Sequence, residues 1–312
     1  MQALIEVILP VFLVMGAGWL AVRTRFLSEA AIDGLMRFAQ GIAVPLLLCA
    51  GVAKLDLGGV LSTGLFLSFY LGAFAAFVIG GLAARLVFHR PGPDCVAIGF
   101  ACLFSNTLLL GLPITERAYG ADALQANYAL IALHSPLMYA FGITAMELVK
   151  GHGTGLATGQ LLRQIAAGLV KNPLIIGISA GFMLNLSGTS LPGPLWAAIE
   201  MIGRAGLPAA LFGLGGVLVR YRPEGDLRIV AMISALSLLL HPAITFLLGT
   251  HGFALSISDL RSATVTGAMA PGINAYLFAH MYGVSKRVAA TSVLVGTALS
   301  IVSIWFWLQI LP

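Results

Sequence analysis

Apolar residues run along this chain in blocks of about 20 to 28 positions, separated by short polar stretches. Blocks of that length suit helices crossing a hydrocarbon core about 30 Å thick. The pattern predicts ten of them, near residues 3–22, 30–53, 61–88, 95–119, 124–149, 162–186, 194–219, 227–249, 257–282 and 286–311. The first block has no basic leader. Arg23 and Arg25 follow its apolar run, and no small-residue cleavage site precedes them, so it reads as a membrane helix rather than a signal peptide. Two blocks are interrupted. The fourth contains "SNTLLLGLPI" (Ser105 to Ile114), and the ninth contains "AMAPGINAYL" (Ala268 to Leu277).

Composition sharpens this picture. Of 312 residues, 59% are hydrophobic and only 9% charged, with a mean hydropathy of +0.98. A soluble domain carries about 25% charged residues. An all-α polytopic membrane protein is therefore expected, rather than a soluble core with one anchor. The basic pI near 9.3 does not point to nucleic acid, because Lys and Arg are scattered singly in short loops. Cys49, Cys95 and Cys102 do not form a metal-ligand pattern, and neither a metal nor a cofactor is expected.

The basic residues set an orientation. With the N-terminus outside, the inner loops hold Arg23, Arg25, Arg85, Arg90, Lys150, Arg163, Lys171, Arg220, Arg222, Arg228, Lys286 and Arg287. The outer loops hold only Lys54, Arg117 and Arg261, while Arg37 and Arg204 fall inside blocks. The positive-inside rule then places both termini on the non-cytoplasmic side.

The two halves look related. The stretch "GHGTGLATGQ" (Gly151 to Gln160) divides ten blocks into five and five. A shift of 163 residues sets Pro10 on Pro173, Gly18 on Gly181, Pro45 on Pro208, Tyr119 on Tyr282 and Gly120 on Gly283. The expected organisation is a first repeat at 1–149, a cytoplasmic linker at 150–163 and a second repeat at 164–312. Five spans per repeat is odd, so the second repeat enters the membrane inverted, a construction common among secondary transporters.

The same shift pairs the fourth block with the ninth. Each carries Gly, Pro and Asn near its centre. Proline removes an N–H and crowds the preceding turn. Asparagine supplies both a donor and an acceptor. One such break is an ordinary kink. Two at matched places in inverted halves point to a substrate site near the midplane. Asn106 and Asn274 are the main candidates, with Pro113 and Pro271 shaping the breaks and Ser105, Thr107 and Gly111 beside them. At the 163 shift Asn106 meets Met269 and Asn274 meets Gly111, so the two half-sites differ chemically.

"ILPVFLVMGAGWLAVRTRFLSEAAIDGLMRFAQGIAVPLLL", "SNTLLLGLP", "KNPLIIGISAGFML" and "MAPGINAYLFAHMYG" together resemble the auxin efflux carrier family, in its bacterial, malonate-transporter-like branch. The resemblance covers essentially the full chain. It implies ten helices in two inverted repeats, with the fourth and ninth crossing at their breaks. It implies a scaffold of helices 1, 2, 6 and 7 and a mobile transport bundle of helices 3–5 and 8–10. It also implies alternating access of the elevator type, a location in the bacterial inner membrane, a small organic anion or carboxylate as substrate, and a homodimer through the scaffold. The short central loop departs from many plant members, and Ser105 stands where many bacterial relatives carry a larger or basic residue.

Other polar residues inside the blocks carry two readings each. Arg204 could clamp a substrate carboxylate or pair with Glu200 four residues earlier. His134 could relay a proton or simply contact a neighbouring helix. His241 raises the same question more weakly. Tyr276 could form an aromatic wall or pack, and Arg37 reads as a snorkelling anchor. Neither GxxxxGK[ST] nor HExxH occurs, which argues against an ATP-driven pump and an intramembrane protease. The breaks contain no Asp or Glu. The leading expectation is a secondary efflux carrier of small organic anions. Alternatives are a sodium- or proton-coupled symporter of the bile-acid-symporter type and a non-transporting receptor.

Overall fold

The computed structural model describes residues 2, 4–55, 62–150 and 172–312. In chain order its main helices are α1 (Ile5–Arg23), α2 (Glu29–Ala53), α3 (Thr63–Leu86), α4 (Gly92–Leu103), α5 (Leu112–Tyr119), α6 (Leu124–Lys150), α7 (Pro173–Ser187), α8 (Gly193–Leu218), α9 (Leu227–Gly252), α10 (Ile257–Gly267), α11 (Ile273–Tyr282) and α12 (Lys286–Ile310). Seven are long and apolar enough to cross a membrane: α1, α2, α3, α6, α8, α9 and α12. Seven rather than ten reach that length because the fourth and ninth blocks are each split in two. The described part of the sixth begins only at Asn172. Residues 151–171, holding the central linker, Arg163 and Lys171, lie outside the described residues.

Helix starts follow from local chemistry. Ser28, Ser62, Asn172, Asp226 and Ser256 each accept a hydrogen bond from a backbone N–H in the first turn that follows. Such caps contribute about 1 kcal/mol apiece. Large apolar side chains including Leu13, Leu82, Leu186 and Met201 face outward, as they should where the surrounding solvent is lipid.

Prolines leave a second mark. Four π-type turns, Leu4–Ile8, Ala39–Ala43, Thr107–Gly111 and Leu236–Leu240, each end two residues before a proline: Pro10, Pro45, Pro113 and Pro242. A proline cannot donate to the carbonyl four residues back, and its ring crowds that carbonyl. Widening the preceding turn relieves the clash without ending the helix. Pro136 and Pro208 sit inside α6 and α8 with no such turn before them.

Packing falls into two groups. α1 packs on α8, and α2 packs on both α7 and α8. Glycine makes these contacts close enough for backbones to touch. A Cβ at Gly18 or Gly215 would strike the carbonyl of Phe212 or Met15 on the facing helix, and one at Gly177 would strike that of Pro45. Small residues bring membrane helices together in this way, since lipid supplies no hydrophobic drive between them. In the second group α3 packs on α4, α9 and α10, α4 on α6, and α12 on α9 and α11. The two broken segments meet within this second group.

Candidate functional site at the crossing of two broken helices

The fourth block leaves the helix at Phe104, where the backbone turns extended. Asn106 restarts it. Its Oδ1 accepts a hydrogen bond from the Leu109 N–H at 3.2 Å, and its carbonyl accepts from Leu110 and Gly111 at 3.3 and 3.1 Å. Bonding five residues ahead, to Gly111, is what makes the turn π-type, and Pro113 follows in the first turn of α5. The ninth block leaves the helix after Gly267 and resumes at Ile273, with Gly272 extended at its start.

The two extended stretches cross as an antiparallel bridge between Ser105 and Pro271. The Asn106 N–H donates to the Ala270 carbonyl at 2.9 Å, and the Gly272 N–H donates to the Phe104 carbonyl at 2.8 Å. Ser105 and Pro271 therefore occupy the non-hydrogen-bonded pair of the ladder. Proline has no N–H to lose at that position, which explains its place here. Each break thus satisfies backbone groups of the other, where an unpaired group would cost several kcal/mol. The crossing lies three residues out of step with the 163-residue shift.

A cavity of about 730 Å³ borders the crossing. Its lining includes Ser105, Asn106, Thr107, Gly272 and Asn274 from the two breaks, Ser135 and Tyr139 from α6, Arg37 and Gln40 from α2, and Asn172 at the start of α7. Asn274 accepts a hydrogen bond from the Tyr139 hydroxyl at 3.1 Å through Oδ1. Both asparagines thus use Oδ1 within the protein, and neither Nδ2 has a partner among the described residues. No side chain caps the N-terminus of α11, which begins at the cavity. Amide donors and the positive end of a helix dipole converge there, a setting suited to an anion.

Other predicted residues are placed elsewhere. Gly111 and Pro113 are buried and shape the restart of the helix without lining this cavity. Pro271 forms the bridge itself. Tyr276 packs against Tyr221, their rings 5.1 Å apart, and does not line the cavity. Arg204 is also absent from it. It is largely exposed, 3.6 Å from Glu200, and borders a second cavity of about 300 Å³ with Pro113, Glu116 and Arg117.

His134 is fully enclosed by the rings of Phe69, Tyr70 and Phe104. The backbone of Ser105 is near, but neither ring nitrogen reaches hydrogen-bond geometry. His241 makes the contacts that His134 lacks. Its Nε2 lies 3.1 Å from the Phe69 carbonyl, which can only accept, so Nε2 carries the proton. In the neutral ring Nδ1 then accepts from the Ser105 hydroxyl at 3.2 Å. Among the described residues no group of three or more His, Cys, Asp or Glu side chains converges as a metal site would require.

Sequence reasoning missed Tyr139, Ser135, Gln40 and Asn172, and read Arg37 only as an anchor. Ser135 and Tyr139 are four apart on one face of α6, a spacing that could have flagged them once a facing break was suspected.

Known proteins match the chain along nearly its whole length. The description "Membrane transport protein" matches residues 3–308. A candidate malonate transporter of Rhizobium meliloti (strain 1021) is 22% identical over 97% of this chain and 94% of its own length. Auxin efflux carrier component 8 of Arabidopsis thaliana is 21% identical over 94% of this chain and 93% of its own. An uncharacterised transporter of Methanothermobacter thermautotrophicus is 22% identical over 98% of each. This chain, all-helical with seven long apolar helices among its described residues and matched along nearly its whole length, belongs to the membrane transport protein family that includes the auxin efflux carriers; it is an integral membrane transporter, not an enzyme.

Proposed function

We propose that this chain is a secondary transporter of small organic anions, carboxylates in particular, that binds its substrate at the crossing of the two broken segments and works by alternating access. One observation carries the reading: the bridge between Ser105 and Pro271 satisfies the broken backbone while both asparagine amides and the uncapped start of α11 border one cavity. Donors without acceptors, gathered at a break in apolar surroundings, favour a ligand with negative charge. The names of the relatives, with malonate and auxin among them, fit that class.

In this reading the chain spans the bacterial inner membrane ten times, as two inverted repeats with both termini outside. The α1, α2, α7 and α8 group is the scaffold and the seat of a homodimer. The α3–α6 and α9–α12 group is the bundle that carries the site across. The cavity reaches the exposed Asp33 and Arg37 at the end of α2 that the basic residues assign to the cytoplasm. That corresponds to an inward-open state. An inside-negative potential favours export of an anion by about 2.3 kcal/mol per charge per 100 mV, so an uncoupled carrier would act in efflux. The coupled alternative has one observation behind it, the His241–Ser105 pair beside Asn106. A proton arriving at His241 Nδ1 would remove the acceptor for Ser105.

The test is counterflow of radiolabelled small carboxylates in proteoliposomes, with Asn106→Ala and Asn274→Ala beside the wild type, under imposed voltage, pH and sodium gradients. Saturable flux that falls at least about tenfold in folded variants is expected, the loss that follows when about 1.4 kcal/mol of substrate binding is removed. Full flux in both variants would remove the crossing from consideration. The gradient that drives flux separates uniport from proton or sodium coupling.

A further inference from the structure

We infer that Arg37 determines substrate charge: it takes a second anionic group, so that the cavity favours a dicarboxylate over a monocarboxylate of the same length. This rests on the proposed carriage of organic anions through the crossing cavity. The sequence offers Arg37 a partner four residues earlier, Asp33, at the spacing where helical ion pairs form. The structure gives that carboxylate away. Arg220, in the segment after α8, holds Asp33 at 2.8 Å and Glu29 at 3.1 Å. Arg37 keeps only a bond from its Nε to the Asp33 carbonyl, 3.3 Å long, which steadies the stem. Its two terminal nitrogens have no hydrogen bond or ion pair among the described residues, and residues 151–171 contain no Asp or Glu.

Among the described residues Arg37 and Asp33 are the charged side chains bordering the cavity, and Arg220 compensates the second. Among the described residues one uncompensated guanidinium therefore remains, bordering the same cavity as Asn106 and Asn274. Its planar fork suits a carboxylate bidentately. A substrate with one carboxylate satisfies the amides at the crossing and leaves Arg37 without a partner. A substrate with two can satisfy both.

The experiment compares malonate with propionate, and succinate with butyrate, in proteoliposomes of wild type, Arg37→Gln and Arg37→Lys. In wild type the diacid should have the lower KM. Arg37→Gln should raise the diacid KM about tenfold, the worth of one charge-assisted pair, while the monoacid KM moves less than about twofold and maximal flux stays. Arg37→Lys, which keeps the charge but loses the fork, should fall between. Salt at about 0.5 M, where the Debye length is about 4 Å, should erode the wild-type preference. If Arg37→Gln still carries monoacid and keeps the wild-type ratio, or loses both substrates equally as a lipid anchor would, the inference fails while the transport reading stands. If wild type carries monoacids alone, the second-anion site is refuted. If wild type carries neither, both readings are.

Discussion

Asn274 is held by a single side-chain bond from the Tyr139 hydroxyl, and that bond sets which end of its amide faces the cavity. Tyr139→Phe would free Oδ1 and let the amide rotate, so that an acceptor could replace a donor at the cavity. The expected result is a several-fold rise in substrate KM with a stability loss of about 1 kcal/mol, read from counterflow and from thermal unfolding in detergent. Unchanged KM would mean that Asn274 is oriented by other means. At this scale the sequence was legible where a polar residue interrupts an apolar run. Asn106, Thr107 and Asn274 stood out on that ground, and all three border the cavity. Tyr139 did not, because a tyrosine among the apolar residues of α6 looks the same whether its hydroxyl meets a ligand site or a helix neighbour. Arg204 illustrates the converse. A mid-block arginine drew notice, yet its exposed side chain lies beside Glu200 and away from the crossing.

Among the elements, the breaks at 104–106 and 270–272 were expected from Gly and Pro, but glycine serves them less than the sequence implies. Gly272 has an extended backbone, and a Cβ there would meet nothing closer than 3.5 Å. Gly272→Ala should therefore fold and transport near the wild-type level. The constraining glycine is Gly296 in α12, where a Cβ would stand 2.8 Å from the Pro271 ring. Gly296→Ala should push on the bridge, lowering flux markedly and stability by about 1–3 kcal/mol, as overpacking does. Equal behaviour of the two variants in flux and melting would contradict this account. Helix extents came through hydropathy to within a few residues for the seven long helices. The π-type turns did not, because hydropathy is blind to whether a helix meets a proline by kinking or by widening one turn. Pro45 and Pro136 look alike in sequence, yet a π-type turn precedes only the former.

For the molecule as a whole, orientation is the expectation most open to a direct check. Single cysteines introduced at Gly155 in the central linker and at Thr189 between α7 and α8 should label from opposite sides, Gly155 from the cytoplasm and Thr189 from outside. That outcome follows from twelve basic residues against three and needs a cysteine-free background, since Cys49, Cys95 and Cys102 are free thiols. Labelling of both from one side would overturn the alternation and with it the inverted pairing of halves. The bridge between Ser105 and Pro271 has a consequence beyond the site it supports. Its hydrogen bonds run between main-chain atoms, so it asks little of side-chain identity beyond a residue at position 271 that can do without its N–H and a glycine at 296 that leaves room for it. The side chains that line the cavity can then change while the main-chain knot beside it stays tied. About one residue in five is shared between this chain and its plant and bacterial relatives, and a crossing tied through the main chain is the kind of feature that such drift can leave in place.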